Sequence, residues 1–413
     1  MIEMTIINET PAVEGGKPVF DEPLFILPKF TDREINAVVD VLKSGELTLS
    51  AKGKYTRMFE KAFAEFLGVK HAVALMNGTV ALHVALRAVG VGPGDEVITT
   101  PFTFIASASS IVHQNAIPVF ADIDRETFNI DPSSIEERIT EKTKAIIAVH
   151  LTGHPAEMDE IMKIGKEHDL IVIEDAAQAI GAEYKGRKVG SIGDIASFSL
   201  YLSKNITTGE GGMVTTNSEN YWKKALLIRH HGQISSYRYD EIGYNYRMTE
   251  LQAVLGLCQL ERIEELNKRR LEIVKIYKDI LEDEEALILP TSKPYVKHVW
   301  HIYNILLQLE KLRVNRDKIV QALKAENIPV SVAYPSVLYL EPAFQKQNAH
   351  GKGCPWSCPF YGKKIQYFKG LCPNAEWVSE RVFTLFTMPS LTDEQAMKIA
   401  SAVKKVVKYY RVA

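Results

Sequence analysis

Near the start of the chain, apolar residues recur at helical spacing. In DREINAVVDVLKSG, Ile35, Val38, Val39, Val41 and Leu42 follow an Asp-Arg-Glu first turn and precede Gly45, a pattern that predicts a helix with a glycine stop. A second helix is predicted from Thr56 to Leu67. From His71 to Ser203 the rhythm changes. HAVALM, DEVITT, IPVFADI, TKAIIAVH and LIVIEDA are short runs rich in Val and Ile, each followed by a turn and then a helix or loop. That alternation predicts an α/β fold whose central sheet is mainly parallel, with helices on both faces. IASFSL and GGMVTTN add two further strands, and Glu250 to Asp283 reads as one long helix.

The first thirty residues are rich in Pro and Gly with little periodicity, so 1–30 is expected to be an arm lying over the body of the protein. A large domain is expected over 31–270. In 271–413, strand-like runs (VWHIYNILLQL, PVSVAY) alternate with helices (RDKIVQALKAEN, LTDEQAMKIASAVKKVVKYY), which predicts a smaller α+β domain. No internal repeat is visible.

Composition narrows the partners. The formal net charge is -2, leaving no basic excess with which to neutralise a phosphate backbone, so nucleic-acid binding is not expected. No apolar run reaches membrane-spanning length, and Met1 to Asp21 has no leader-like core. A cytoplasmic protein acting on small molecules is the expectation. The four cysteines, Cys258, Cys354, Cys358 and Cys372, are too few to staple a chain of 413 residues.

Three stretches carry chemistry. NGTVALHVALRAVG follows a strand, and a helix opening on Gly78 and Thr79 offers free N–H groups and a hydroxyl that suit a phosphate, or serves simply as a cap. LIVIED brings Glu174 and Asp175 to the carboxyl edge of the sheet, where ligands of such sheets bind; a protonated heterocyclic nitrogen would partner an acid there. Lys204, in SLYLSKNITTGEGG, lies 29 positions after Asp175. Most lysines are surface charges, but hydroxyls and a glycine turn surround this one. Desolvation beside a cationic ring would make its amine a nucleophile toward carbonyls. A phosphate seat, an acid and a reactive lysine are the parts that hold pyridoxal 5'-phosphate.

From about Phe30 onward the chain resembles the DegT/DnrJ/EryC1/StrS family of sugar aminotransferases, enzymes with the aspartate-aminotransferase-like PLP fold type I. NGTVALHVAL, GDEVITTPFTFIASASSI, VHLTGHPAEMD, IEDAAQAIGAEYKGRKVGSIGDIASFS, KNITTGEGGMV, IGYNYRMTELQAVLGL and SERVFTLFTMPSLTDEQ carry the resemblance in order. It implies that Gly78 and Thr79 hold the cofactor phosphate with help from Ser199, and that Phe104 stacks on the pyridine ring unless it is core. Asp175 would pair with the ring nitrogen, Gln178 would reach the ring hydroxyl, and Lys204 would be the Schiff-base anchor and catalytic proton shuttle. Asn245 would reach the phosphate from a neighbouring subunit, implying a homodimer with shared active sites; Arg247 would lie near that interface. The implied reaction moves an amino group from glutamate or glutamine to a nucleotide-linked keto sugar, in two half-reactions through pyridoxamine phosphate.

The sequence also departs from that family. Where members often show VHYP and then a second histidine near the substrate, this chain has VAYPSVLYL, with Ala333 and Tyr339 at those places. EGGKPVFDEP is similar to the start of the branch acting on cyclitol ketones, so a free ketone such as scyllo-inosose is an alternative acceptor. A sugar dehydratase of the same family is disfavoured because that branch has histidine in place of the lysine, and a non-enzymatic sensor or scaffold needs none of Lys204, Asp175 and Gln178. His350, Cys354, Cys358 and Cys372 offer zinc-type ligands at a spacing that fits paired knuckles poorly, so no metal is assigned; the simpler reading is a loop with reduced thiols covering the active site. GVGPGDE precedes a strand and is no dinucleotide fingerprint. His230-His231 has no third ligand nearby, though the pair could touch a substrate phosphate.

Overall fold

The computed structural model describes residues 10–48 and 53–412. The first nine residues of the expected arm lie outside the described residues. Seven strands form the central sheet: β1 (His71–Leu75), β2 (Glu96–Thr99), β3 (Ile117–Phe120), β4 (Thr143–Val149), β5 (Ile171–Asp175), β6 (Ile195–Ser199) and β7 (Gly212–Thr216). Their order across the sheet is β1-β7-β6-β5-β4-β2-β3. Neighbours from β6 to β3 run parallel, whereas β7 is antiparallel to both β1 and β6. The expected mainly parallel α/β sheet is thus present. Its helices cover both faces because strands apolar on both sides must be buried on both sides. Val73, Ile147 and Ile173 face one core, and Ala74, Ala196 and Phe198 face another.

Topology aims the chemistry. Parallel strands β5 and β6 end together, so Asp175 and Ser199 reach one edge of the sheet, and the helix Gly78–Ala88 starts beside them. At that edge Gly212 runs so close to the strand-to-helix turn that a Cβ on it would sit 2.2 Å from the Asn77 carbonyl oxygen, which only glycine permits.

Three sequence expectations need correction. The helix expected across Glu250–Asp283 is two helices, Glu250–Glu261 and Ile263–Leu281, which meet at Arg262. The Arg262 side chain bonds Glu265 and the buried Glu34, tying the break to the first helix. The strand read into VWHIYNILLQL begins only at Ile302 and runs to Leu307, since Trp300 has a positive φ of 49°. PVSVAY pairs only through Val330–Ser331; the stronger strand of the smaller sheet, Val382–Phe386, lies between them.

The C-terminal part does not pack as one body. Ile305, Ile319, Phe383 and Val403 share one core with the helix Ile263–Leu281, whereas Tyr339, Phe344, Trp356, Tyr367 and Cys372 join the core of the central sheet. This second group covers β3, the edge strand: Phe120 meets the rings of Tyr339, Phe344 and Tyr367 at 5.5–5.7 Å, and Tyr367 donates to the Pro118 carbonyl at 2.7 Å. Covering an open strand edge blocks its pairing with other chains. The described arm lies on the small sheet's core, with Val19, Phe20 and Leu24 packed against it. Buried Glu326 accepts from Ala12 N at 2.8 Å, Val19 N at 3.0 Å and Lys405 Nζ at 3.0 Å.

Candidate active site

A cavity of about 720 Å³ opens at the carboxyl edge of β5 and β6. Gly78, Thr79, Phe104, Asp175, Gln178, Ser199 and Lys204 all line it. Seven of the eight residues to which the resemblance gives a cofactor contact therefore meet in one space.

The phosphate-type seat is built by capping. Asn77 Oδ1 accepts from Val80 N at 2.9 Å, so the N-terminal end of the helix Gly78–Ala88 faces the cavity. A Cβ on Gly78 would lie 2.6 Å from Ser199 Cβ. The cradle between helix end and strand end is open only because residue 78 has no side chain.

The acid is held for its role by neighbours. Asp175 is buried; Ser107 Oγ donates to its Oδ2 at 2.7 Å and Ala177 N to its Oδ1 at 3.2 Å. Burial raises its pKa, while those two donors and the Lys204 amine act in the opposite direction. Glu174 faces away from it and is fully enclosed. It accepts from Gly190, Ile192 and Gly193 N–H groups at 2.6–2.7 Å and meets His150 Nε2 at 3.0 Å, so this acid is structural.

Lys204 is partly open to the cavity. Burial lowers its pKa to about 8; Asp175 opposes that shift and Arg270 adds to it. At pH 7 roughly a tenth of the amine is then the free base that attack on a carbonyl needs, far more than for an ordinary lysine. Gln178 is fixed at both ends, with Oε1 accepting from Thr152 N at 2.8 Å and Nε2 donating to Tyr334 Oη at 2.7 Å. Phe104 is 59% exposed on the cavity rim, which rules out the core reading.

Asn245 is the exception. Tyr244 and Tyr246 donate backbone bonds to Ile228 and Arg229, which leaves the Asn245 side chain exposed and outside the cavity of its own chain. Arg247 lies outside the cavity too, with its Nη1 2.7 Å from His230 Nδ1. Ala333 and Tyr339 do not line the cavity either. Tyr339 is buried at the sheet edge, donating to Glu376 Oε1 at 2.6 Å, and it is Tyr334 that borders the cavity.

The cysteine-bearing segment lies against β3 and does not border the cavity, contrary to the expectation of a covering loop. His350 Nε2 bonds the Val112 carbonyl at 3.0 Å, and Cys372 Sγ lies 3.8 Å from the Phe120 carbonyl. Among the described residues no group of three or more His, Cys, Asp or Glu side chains is placed to hold a metal ion.

Sequence reasoning missed Ser107, His301, Tyr334 and Arg270. Ser107 is one serine of several in SASASS, and His301 sits inside what reads as a strand. Nothing local distinguishes them, because their roles arise from contacts 68 and 96 positions away along the chain.

The fold and this donor set define a pyridoxal-phosphate enzyme of fold type I. The open cradle at Gly78 suits a phosphate, and the buried acid and depressed lysine suit a cationic ring bearing an aldehyde. The chain belongs to the DegT/DnrJ/EryC1/StrS aminotransferase family, whose model matches residues 28–358. It is 40% identical to the spore coat polysaccharide biosynthesis protein SpsC of Bacillus subtilis, over 93% of this chain and 97% of that protein. It is 46% identical to the GDP-perosamine synthase of Caulobacter vibrioides, over 68% of this chain and 76% of that one. An aminotransferase from Psychrobacter cryohalolentis, solved by X-ray, superposes with a TM-score of 0.84 at 37% identity, covering 94% of this chain and all of that one. The protein is a pyridoxal-phosphate-dependent aminotransferase acting on sugars.

Proposed function

We propose that the enzyme transfers an amino group from glutamate or glutamine to a nucleotide-linked keto sugar, as a homodimer in the cytoplasm. The convergence of Lys204, Asp175 and the Gly78 cradle on one cavity carries the chemistry of this reading. The likeness to a GDP-perosamine synthase supports the nucleotide link. Four unpaired cysteines suit a reducing compartment.

Pyridoxal phosphate supplies, when bound, the electron sink through which the amino group passes from donor to acceptor. Gly78, Thr79 and Ser199 would hold its phosphate, and Phe104, on the rim, would offer a ring face to it. Asp175 holds a proton at the ring nitrogen, a charge pairing that offsets the cost of burying the carboxylate. Gln178, oriented by Thr152 and Tyr334, reaches the ring hydroxyl. Lys204 would anchor the cofactor through its amine, and its free amine would hold and return the proton at the substrate carbon as general base and acid. Asn245, exposed on its own subunit, acts on the phosphate in the cavity of a second copy.

The test loads the holoenzyme with an amino group from glutamate or, separately, glutamine, removes that donor and adds UDP-, dTDP- or GDP-linked keto sugars or scyllo-inosose, with mass spectrometry reading the aminated product. Amination of a nucleotide-linked keto sugar is expected. Amination of scyllo-inosose alone transfers the enzyme to the cyclitol reading, and no loading by glutamate or glutamine overturns the donor.

A further inference from the structure

His301 is only 5% exposed, and its ring borders the cavity that Lys204 and Asp175 face. Its Nδ1 lies 3.2 Å from Asn205 Oδ1. The Asn205 amide cannot be turned over without loss, because its Nδ2 donates to Asn267 Oδ1 at 2.7 Å and to the Val299 carbonyl at 3.1 Å. With the Asn205 oxygen facing the imidazole, Nδ1 carries the proton and Nε2 the lone pair. Among the described residues nothing hydrogen-bonds to Nε2, and it is not one of the buried unpartnered atoms, so it is open to the cavity. Burial, with the positive charges of Lys204 and Arg270 behind it, keeps the ring neutral by holding its pKa well below the usual histidine range.

A neutral lone pair in a cavity selects for a donor. A carboxylate has no proton to offer it, whereas a sugar carries several hydroxyls; the amide of glutamine is a rival donor, and deoxy analogues of the sugar tell the two apart. We propose that His301 is a specificity residue whose Nε2 accepts a hydrogen bond from one hydroxyl of the acceptor sugar. This rests on the keto-sugar reading above. It adds a substrate contact that is oriented by Asn205, the chain neighbour of Lys204, so the anchor and the group that orients the sugar reader are adjacent in sequence.

The experiment measures kcat/KM of the holoenzyme for a nucleotide-linked keto sugar and its set of single-deoxy analogues. The proteins compared are the wild type, His301→Phe, which keeps a ring without the acceptor, and His301→Gln, whose amide oxygen replaces it. A neutral hydrogen bond predicts that the wild type loses about three- to tenfold on one analogue. His301→Phe should lose a similar factor on the parent sugar and nothing further on that analogue, with His301→Gln recovering part of the loss. If His301→Phe does not fold, His301→Met carries the same comparison. A phenylalanine or methionine variant that discriminates among the analogues as the wild type does overturns the proposal and leaves the keto-sugar reading intact. A wild type that aminates no nucleotide-linked keto sugar overturns both.

Discussion

The guanidinium of Arg270 donates through Nη2 to the backbone carbonyl of Lys204 at 3.3 Å, and through Nη1 to the His301 carbonyl and Thr387 Oγ1, each at 3.0 Å. Arg270 is 2% exposed, and among the described residues no carboxylate pairs with it. A guanidinium stays protonated even so. Its charge is answered by carbonyl and hydroxyl dipoles alone, and from the Lys204 backbone it adds to the lowering of the Lys204 amine. Arg270→Met should therefore raise the pH at which Lys204 becomes nucleophilic, from about 8 toward the ordinary lysine range. Competitive acylation of the cofactor-free protein with acetic anhydride across pH 6–11 (about that span brackets both values), mapped by peptide mass, reads this directly. An unchanged midpoint in a folded variant would mean that burial alone sets the amine.

The depressed lysine also has a stability signature. A base whose pKa falls on folding binds fewer protons folded than unfolded, so it costs stability wherever the unfolded lysine is charged and the folded one must be forced to be. That cost is complete below about pH 8 and fades as pH rises toward the 10.5 of an unperturbed lysine. Lys204→Met should therefore melt higher than the wild type at pH 7, both without cofactor, with the gap narrowing by pH 10 in the same calorimetric series. The same variant should lose amination by at least about 100-fold, the scale of a positioned acid–base group.

Gly78→Ala places a Cβ 2.6 Å from Ser199 Cβ, and neither residue sits at the flexible end of a long side chain. Strain of this kind costs on the order of 1–3 kcal/mol. Cofactor affinity should fall roughly tenfold or more, measured by equilibrium dialysis of pyridoxal phosphate, while helix content by circular dichroism is retained. Adding Ser199→Gly should relieve the contact and recover part of the affinity. Affinity unaltered by Gly78→Ala would remove this cradle from the phosphate site.

Glu326 is the clip for the arm. Its carboxylate is fully enclosed and takes two arm N–H groups as well as Lys405, whose side chain is 2% exposed. Glu326→Gln leaves Lys405 charged and buried without its partner, a change that costs about 3 kcal/mol or more. Urea denaturation should show that loss, and limited proteolysis should cut within 10–28 sooner than in the wild type. Equal stability and equal cleavage would show that the arm is held by its apolar contacts alone.

Much of the site was legible in the chain because parallel sheets bring distant strand ends to one edge. Once LIVIED and SFSLYL were read as strands of a parallel sheet, Asp175 and Lys204 had to approach the same side, and so they do. The break at Arg262 was invisible to periodicity, since apolar spacing continues across it. That Tyr334 borders the cavity, and Ala333 and Tyr339 do not, was equally hidden. Tyr334 reaches Gln178 from a left-handed backbone at φ 58°, and Tyr339 turns instead to the edge strand.

Local pattern therefore determined the elements, their parallel arrangement, and the residue types that gather at the sheet edge. It did so because period, turn chemistry and strand direction are properties of neighbouring residues. The tertiary structure alone decided which groups tune those residues: the uncompensated charge of Arg270 behind Lys204, the proton position on His301 set by Asn205, and the exposure of Asn245. These depend on contacts between segments far apart in sequence, where side-chain chemistry acts through distance and burial and leaves no periodic trace.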